Sequence, residues 1–261
     1  MTESTLLHYT RQGQGRPLVI LHGLYGSGSN WGSHAKWLAE HFDVILPDLR
    51  NHGRSFHAPR MDYPAMAADV RRLLDALELE SVLLLGHSMG GKTAMTLALE
   101  TPQRIQALVV ADIAPVAYRH QSHQPLIKAM QGLDLAQVRS RAQASAALAA
   151  EIPSQTLRQF LLTKLDRSGD DYRWRIPLDT RADQLPQLES FPALDGSYDG
   201  PTLFIHGADS DYVTDAAQAA IQHHFPNSRL QAIPEAGHWL HAEQPQRFAE
   251  ALRTFLAPFR D

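Results

Sequence analysis

Continuous apolar runs alternate with helix-like segments through the first half of the chain and again near its end. Runs of this kind fall at residues 16–23, 42–48, 81–86, 105–115 and 200–207, and a further strand is predicted in residues 228–239. Between two of them, at residues 63–79, apolar positions recur at helical spacing, with Pro64 near the helix start. Apolar strands that alternate with helices are typical of a parallel sheet covered on both faces. Such a sheet collects its chemistry at the carboxyl ends of its strands.

One long segment interrupts this alternation. Residues 116–196 contain no strong apolar strand and are rich in Ala, Gln and Arg. Helices are predicted in this segment near residues 122–131, 134–150 and 154–166. We therefore expect one core domain built from residues 1–115 and 197–261. Residues 116–196 are expected to form a helical cap, or lid, over a site at the carboxyl edge of the sheet.

A serine stands between glycines where one apolar run stops. Residues 86–90 read Gly-His-Ser-Met-Gly, after the strand predicted at 81–86 and before the helix predicted at 92–102. A G-x-S-x-G motif in this context is typical of a sharp turn that strains the serine backbone and exposes its hydroxyl. Glycine is needed beside the serine because a Cβ would clash with the neighbouring strand or helix. Ser88 is the predicted nucleophile, and a serine in a purely structural turn is the alternative.

The predicted nucleophile needs a base, since a serine hydroxyl is a weak nucleophile. Residues 234–245, which read PEAGHWLHAEQP, follow the last predicted strand and contain two histidines. His238 lies just after the strand, beside Gly237, and is the predicted base. His241 is the competing candidate, and a histidine that only packs beside Trp239 is the structural alternative.

A glycine-rich loop follows the first apolar strand and reads LHGLYGSGSNW at residues 21–31. Acyl transfer requires hydrogen-bond donors for the developing oxyanion, and a loop of this kind presents backbone N–H groups. We expect the amides of Leu24 and of Met89, the residue after the nucleophile, to form an oxyanion hole. Similar loops cradle phosphate in other proteins, but this one matches neither the G-x-G-x-x-G nor the Walker pattern.

Composition argues against several other kinds of partner and site. The 261 residues carry a net charge of −4 with mixed signs, which favours neither nucleic acid nor an anionic membrane surface. No apolar stretch is long enough to cross a bilayer, and the first residues lack the pattern of a signal peptide, so a cytoplasmic protein is expected. The chain has no cysteine, and most of its 14 histidines lack metal-ligand spacing. We expect neither a metal nor an organic cofactor.

Four motifs, taken in order, resemble those of the α/β-hydrolase superfamily. They are HGLYG (22–26), LPDLRNHGRS (46–55), GHSMGG (86–91) and AGHW (236–239). More narrowly, GHSMGGKTAM together with ADIAPV (111–116) is similar to the YbfF-type serine esterases. The resemblance covers the whole chain, with the cap as its variable part. It implies an eight-stranded, mostly parallel sheet with helices on both faces, and an esterase or thioesterase with a serine nucleophile.

The third member of the catalytic triad is where the sequence departs from this family. The family's usual acid follows the strand predicted at 200–207, in a pattern like G-x-x-D-x-x-V, but Ser210 occupies that position here. Asp209 and Asp211 flank it, one residue off on either side. The other placement known for this fold is held by Asp112, at the end of the strand next to the nucleophile's own. We expect Asp112 to be the acid, with Asp209 or Asp211 as alternatives.

These residues together predict a serine hydrolase that acts on small-molecule carboxylic esters or thioesters. The expected acyl group is of short to medium chain length. Acyl-CoA is one candidate substrate, because the basic and histidine-rich residues at 118–128 suit an anionic leaving group, although a solvated helix start explains them equally well. A carbon–carbon bond hydrolase with the same triad and a non-catalytic binding protein of the same fold are the alternatives. The sequence carries no signal for an oligomeric state.

Overall fold

Nine strands occur among the residues that the computed structural model describes, which are 6–118, 123–169 and 171–260. They are, in chain order, β1 (Tyr9–Gln12), β2 (Arg16–Leu21), β3 (Phe42–Pro47), β4 (Val82–His87), β5 (Ile105–Ala111), β6 (Leu165–Ser168), β7 (Asp171–Trp174), β8 (Thr202–Gly207) and β9 (Ser228–Ile233). Seven strands form the main sheet in the order β1-β3-β2-β4-β5-β8-β9, in which β1 alone is antiparallel to its neighbour. The predicted mostly parallel sheet is confirmed. The β6 and β7 strands pair separately as an antiparallel ribbon.

The main sheet has seven strands in the described part of the chain, one fewer than the eight that the resemblance implies. Its first edge is β1, which pairs with β3 from Tyr9 to Gln12. Residues 6–8, the described residues before β1, form no strand that would extend this edge. The side chains of β1 after Tyr9 are exposed, so YTRQ lacks the apolar pattern that identifies the other strands of the sheet. Strand β1 is accordingly absent from the sequence-based prediction.

Ten α-helices lie between the strands or after the last strand in the described ranges. They are α1 (Gly32–Leu38), α2 (Tyr63–Ala76), α3 (Met89–Glu100), α4 (His123–Gly132), α5 (Arg141–Ala147), α6 (Gln155–Leu162), α7 (Leu178–Glu189), α8 (Asp215–His224), α9 (Leu240–Glu243) and α10 (Pro245–Leu256). Helix α2 begins where the Asp62 carboxylate accepts a hydrogen bond from the Ala65 amide, with Pro64 in its first turn. Within these described elements, no helix combines the length and apolarity needed to cross a membrane.

The central strands bury side chains on both faces, which explains their unbroken apolar sequences. Along β2, Val19 and Leu21 belong to an apolar cluster with residues of α2, α3 and α8. Leu18 and Ile20 belong to the opposite cluster, with residues of α1 and α10. Since successive side chains of a strand point to opposite faces, two helical layers are needed to remove both sets from water. Each fully buried aliphatic side chain contributes roughly 1.5–3 kcal/mol to the stability of this layered core.

The segment between β5 and β8 forms apolar clusters of its own. One cluster joins α4, α6 and α7 and takes in Tyr25 from the loop after β2. The other joins α5 to β6 through Ala144 and Leu165. Helices α5 and α6 fall within the ranges predicted from the sequence, and α4 ends one residue beyond its predicted range. The β6–β7 ribbon and α7 were not predicted, and β6 begins inside the range 154–166 that was predicted to be helical. Helix α7 contains Pro186, which weakens the helical pattern of its sequence. The division of the chain into a core and a cap stays a prediction.

Replacing Gly90 by alanine should destabilise the protein. An added Cβ would lie 2.3 Å from the Leu21 carbonyl oxygen, so α3 would have to move away from β2. We expect the free energy of unfolding, measured by urea denaturation, to fall by about 1–3 kcal/mol. Gly132→Ala is the matched control, because a Cβ at the end of α4 would meet nothing within 4 Å. Equal unfolding free energies for the two variants would contradict this account of the turn.

Candidate active site

The register of β4 and β5 brings two predicted site residues together. His87, the last residue of β4, lies opposite Ala111, the last residue of β5. Ser88 and Asp112 therefore leave the sheet side by side at its carboxyl edge, and the Ser88 amide donates to the Ala111 carbonyl at 3.0 Å. Both have a positive φ, 54° for Ser88 and 51° for Asp112. This conformation is uncommon for residues other than glycine and clusters at functional sites.

The glycines around Ser88 leave the space that this turn needs. A Cβ on Gly86 would lie 2.2 Å from the Gly90 carbonyl oxygen, and a Cβ on Gly90 would collide with the end of β2. Strand β4 and the start of α3 thus approach each other more closely than any side chain permits. The predicted clash with a neighbouring strand or helix is therefore present at both positions.

His238 lies between Ser88 and Asp112 and contacts both. Its Nε2 is 3.0 Å from Ser88 Oγ, and its Nδ1 is 2.7 Å from Asp112 Oδ2. Because an ionised carboxylate can only accept, the proton lies on Nδ1, and Nε2 accepts the hydrogen bond from the serine hydroxyl. The competing candidate, His241, is buried and stacks on the Trp31 ring at 4.5 Å. Burial holds the pKa of His241 well below its usual value, so its ring is neutral.

The carboxylate of Asp112 is buried and hydrogen-bonded at both oxygens. Oδ1 accepts from the Gly207 amide at 2.9 Å, and Oδ2 accepts from the Ser210 hydroxyl at 2.5 Å as well as from His238. Burial raises the pKa of Asp112, but these hydrogen bonds outweigh it and hold the pKa below its ordinary value. The carboxylate is therefore ionised at neutral pH and is able to stabilise a positive charge on the imidazole.

The two alternative acids, Asp209 and Asp211, have exposed side chains. Asp209 contributes to its loop through its amide, which donates to the Ala236 carbonyl at 2.9 Å. Between the two, Ser210 stands where the family usually has its acid, and it supports Asp112 with its hydroxyl instead. The structure thus joins His238, the predicted base, to Asp112, and Ser210 at the family's usual acid position donates a hydrogen bond to that carboxylate.

Two aromatic side chains hold the His238 ring and its loop. His87 Nε2 donates to the His238 carbonyl oxygen at 2.8 Å, which ties the loop of the predicted base to the end of β4. Burial lowers the pKa of His87 to about 3, so this ring stays neutral. The Tyr212 ring stacks on the imidazole ring of His238, with 4.1 Å between the ring centroids. The sequence does not single out either residue by itself. His87 is notable only because it precedes Ser88, and Tyr212 only because it lies in the loop that contains Ser210.

The loop after β2 lies directly against the nucleophile turn. A Cβ on Gly23 would be 3.3 Å from the Ser88 Cβ, so the two backbones are in close contact. The amides of Leu24 and Met89, the predicted oxyanion donors, donate no hydrogen bond to any described residue. Leu24, Ser88 and Met89 line the same small cavity, of about 30 Å³. Two backbone donors beside a space next to the serine suit the binding of an oxyanion.

His22 fixes the start of this loop. Its Nε2 accepts from the Leu49 amide at 3.0 Å, and its Nδ1 donates to the Gly23 carbonyl at 2.8 Å. Burial lowers the pKa of His22 to about 4, so at neutral pH the neutral ring makes both bonds. Tyr25, at the far side of Leu24, has a positive φ of 63° and a buried ring.

A cavity of about 820 Å³ opens over Ser88 and His238. This volume is within the range that takes a drug-sized ligand, so an acyl chain fits together with its leaving group. Its apolar lining comes from core loops and from inserted helices and includes Leu24, Trp31, Leu126, Leu157, Phe160 and Trp239. From the stretch 118–128, His123 lines the cavity, whereas the basic residues Arg119 and His120 lie outside the described residues.

Comparison with known proteins gives matches over nearly the whole chain. A family model described as "alpha/beta hydrolase fold" matches residues 16–245. The sn-1-specific diacylglycerol lipase ABHD11 of Danio rerio is 40% identical over 254 residues, which cover 95% of this chain and 80% of the relative. Esterase YbfF of Escherichia coli strain K12 is 38% identical over 243 residues and 92% of each chain. A solved structure of a marine microorganism esterase has a TM-score of 0.93 and 41% identity, over 97% of this chain and 100% of its own.

The stability that Asp112 contributes should depend on pH. Its pKa is lower in the folded protein than in the unfolded chain, so the contribution is complete above the unfolded value of about 3.9 and is lost as the pH falls through the folded value. We expect the free energy of unfolding, measured by urea denaturation at neutral pH, to be about 1–3 kcal/mol higher for wild type than for Asp112→Asn. This difference should shrink below about pH 4.

The control for this measurement is Asp209→Asn, whose side chain is exposed and should change the unfolding free energy by less than about 0.5 kcal/mol at every pH. A difference between wild type and Asp112→Asn that stays constant into the acid range would contradict the depressed pKa of this carboxyl.

Proposed function

This chain belongs to the α/β-hydrolase family and is a hydrolase of the carboxylesterase type, and we propose that it cleaves its ester through an acyl-enzyme on Ser88. The observation that carries the proposal is the position of His238, in contact with Ser88 Oγ on one side and with Asp112 on the other. A nucleophile, a base and an acid aligned in this way are the requirements for acyl transfer.

Acylation begins when Ser88 Oγ attacks the ester carbonyl carbon and His238 Nε2 takes the hydroxyl proton. General-base catalysis of this kind contributes roughly 10²–10⁴-fold to a rate. The imidazolium that forms lies 2.7 Å from the buried Asp112 carboxylate, which stabilises its charge. When the tetrahedral intermediate collapses, Nε2 gives the proton to the leaving alcohol or thiol, and the acyl group remains on the serine.

Deacylation repeats these steps with water as the nucleophile. His238 takes a proton from the water as it attacks the acyl carbon, and then returns the proton to Ser88 Oγ as the carboxylic acid leaves. In both stages the carbonyl oxygen becomes an oxyanion. We propose that the amides of Leu24 and Met89 donate hydrogen bonds to this oxyanion. The removal of one such donor typically costs roughly 10²–10³-fold in kcat.

The cavity supports an apolar ester with a short- to medium-chain acyl group. Leu126 of α4 and Leu157 and Phe160 of α6 contribute to its lining, and we propose that residues 116–196 act as a cap that shapes it. Names of relatives agree with an ester that carries an apolar acyl group, since one is called a diacylglycerol lipase and another an esterase. Thioesters suit the same triad, because a thiolate leaves at least as readily as an alkoxide.

Two alternatives remain distinguishable from this proposal by experiment. A carbon–carbon bond hydrolase would use the same three residues on a carbon leaving group, but relatives at 38–41% identity are named for ester and lipid hydrolysis. A binding protein of the same fold would have no need of a base in hydrogen-bonding contact with a serine. The binding protein predicts no turnover of simple esters, whereas the carbon–carbon bond hydrolase predicts that a substrate with a carbon leaving group is cleaved far faster than any simple ester.

Ser88→Ala should abolish esterase activity and labelling by a fluorophosphonate probe, because no other hydroxyl contacts His238 Nε2 in the described structure. Asp112→Asn should lower kcat roughly 10⁴-fold, since an amide favours the wrong imidazole tautomer. Hydrolysis of p-nitrophenyl esters and mass spectrometry of the labelled peptide measure these effects. Asp209→Asn is the matched control and should retain wild-type kcat. A large loss of kcat in Asp209→Asn, together with wild-type kcat in Asp112→Asn, would refute the assignment of the acid.

The acyl chain should bind in the apolar cavity, with kcat/KM rising with chain length. Each buried methylene is worth about 0.8 kcal/mol, or roughly fourfold in kcat/KM, until the cavity is filled. Phe160→Ala should therefore lower kcat/KM for octanoyl esters roughly tenfold or more while changing that for acetyl esters much less. Leu230→Ala, at an exposed position away from the cavity, is the control. Equal losses for acetyl and octanoyl esters would place the acyl chain elsewhere.

A further inference from the structure

Arg181 of α7 is a buried cation that the mechanism above does not use. Its side chain has no exposed surface, and its Nη2 donates to the Asn51 carbonyl at 2.8 Å. Its Nε and Nη1 have no hydrogen-bond partner, and no carboxylate pairs with it, within the described residues. Burial lowers the pKa of Arg181 to about 10, so it remains charged at neutral pH. An unpaired buried charge is destabilising, and groups that reduce stability in this way are often retained for function.

The guanidinium group of Arg181 lies over the ring of Tyr25. Its Cζ is 5.3 Å from the ring centroid, which is within the range of a cation–π interaction. Tyr25 is buried, and its hydroxyl has no hydrogen-bond partner among the described residues. The position of the ring is therefore set by Arg181, by the His123 ring, whose centroid is 5.9 Å away, and by the apolar cluster of the inserted helices to which Tyr25 belongs.

Tyr25 directly follows Leu24, whose amide is a proposed oxyanion donor. Its φ of 63° is unfavourable for a bulky residue and persists only where the surroundings hold it. On the other side of Leu24, His22 fixes the carbonyl of Gly23 from within the core. The Leu24 amide thus lies between one anchor in the core and a second anchor, Tyr25, that is held from the inserted segment.

We propose that Arg181 is a positioning residue that holds the Leu24 amide in the oxyanion hole by fixing the ring of Tyr25. The inserted segment then contributes to the chemical step and not only to the cavity wall. A donor displaced by a fraction of an ångström still permits substrate to bind but stabilises the oxyanion less. This inference rests on the proposed function, because it requires acyl transfer at Ser88.

The test is the ester kinetics of Arg181→Met, which removes the charge and the planar group but keeps an apolar side chain of similar length. We expect kcat to fall roughly 10–100-fold while KM changes less than about threefold, since the oxyanion forms only after binding. Arg181→Lys should lose activity to a similar extent, because an ammonium group cannot stack on a ring and bind Asn51 with one rigid plane. Arg173→Met is the control for loss of a cation, because Arg173 is exposed on the same inserted segment.

Two further readouts separate positioning from a structural role. A trifluoromethyl ketone forms an oxyanion adduct on the serine, so its affinity should fall by the same factor as kcat/KM in Arg181→Met. Tyr25→Leu should reproduce the loss, and the double variant Arg181→Met/Tyr25→Leu should lose no more than the worse single variant, because both changes remove the same restraint. Arg181→Lys and Tyr25→Leu carry the test if Arg181→Met does not fold.

The inference is overturned if kcat of folded Arg181→Met stays within about threefold of wild type, if only KM changes, or if the ketone binds as tightly as before. Multiplication of the two single losses in the double variant would also overturn it. Wild-type protein without Ser88-dependent turnover would instead refute the proposed function, and this inference with it. The wild-type and Ser88→Ala measurements therefore distinguish the two failures.

Discussion

The alignment of β4 with β5 is the constraint on which the site depends. Because His87 lies opposite Ala111, the residues that follow, Ser88 and Asp112, emerge together and both turn at positive φ. One histidine from the loop after β9 then reaches both of them. The glycines on either side of the serine make this possible, since a Cβ at either position would collide with backbone. The chemistry is thus a consequence of strand register and close backbone packing, held rigid by a sheet that is buried on both faces.

The pairing of Asp112 with Ser210 shows how the fold accommodates an acid on a different strand. Both the end of β5 and the loop after β8 reach the same imidazole, the first through the Asp112 carboxylate and the second through the stacked ring of Tyr212. In this chain Gly207, the last residue of β8, donates its amide, and Ser210 in the loop after β8 donates its hydroxyl. These hydrogen bonds and the one from His238 keep the buried Asp112 carboxylate ionised against the effect of burial. The carboxylate beside the imidazole thus comes from the end of β5, and hydrogen bonds from β8 and the loop after it hold that carboxylate in place.

Particular residues show what the sequence alone predicts and what it does not. The unbroken apolar run of β4 and the glycines around Ser88 predict the strand, the turn and the nucleophile, because local packing demands those residue types. Strand β1 was not predicted, since YTRQ lacks an apolar pattern and forms through pairing with the distant strand β3. The β6–β7 ribbon is a local hairpin of two four-residue strands, and its first residues fall in the range 154–166 that was predicted to be helical. The stacking of Arg181 on Tyr25 joins residues 156 positions apart (181 − 25), and no motif at either position indicates it.

The loop after β2 contacts both the Ser88 turn and the inserted helices, through Gly23 on one side and Tyr25 on the other. Intact-protein mass spectrometry of enzyme quenched in acid, during turnover of a slowly deacylated ester, shows whether turnover proceeds through an ester bond to one serine. We expect protein heavier by one acyl group, with that mass located by peptide mapping on the peptide that contains Ser88. Product formed without any acylated protein, or an acyl group on another residue, would contradict this expectation.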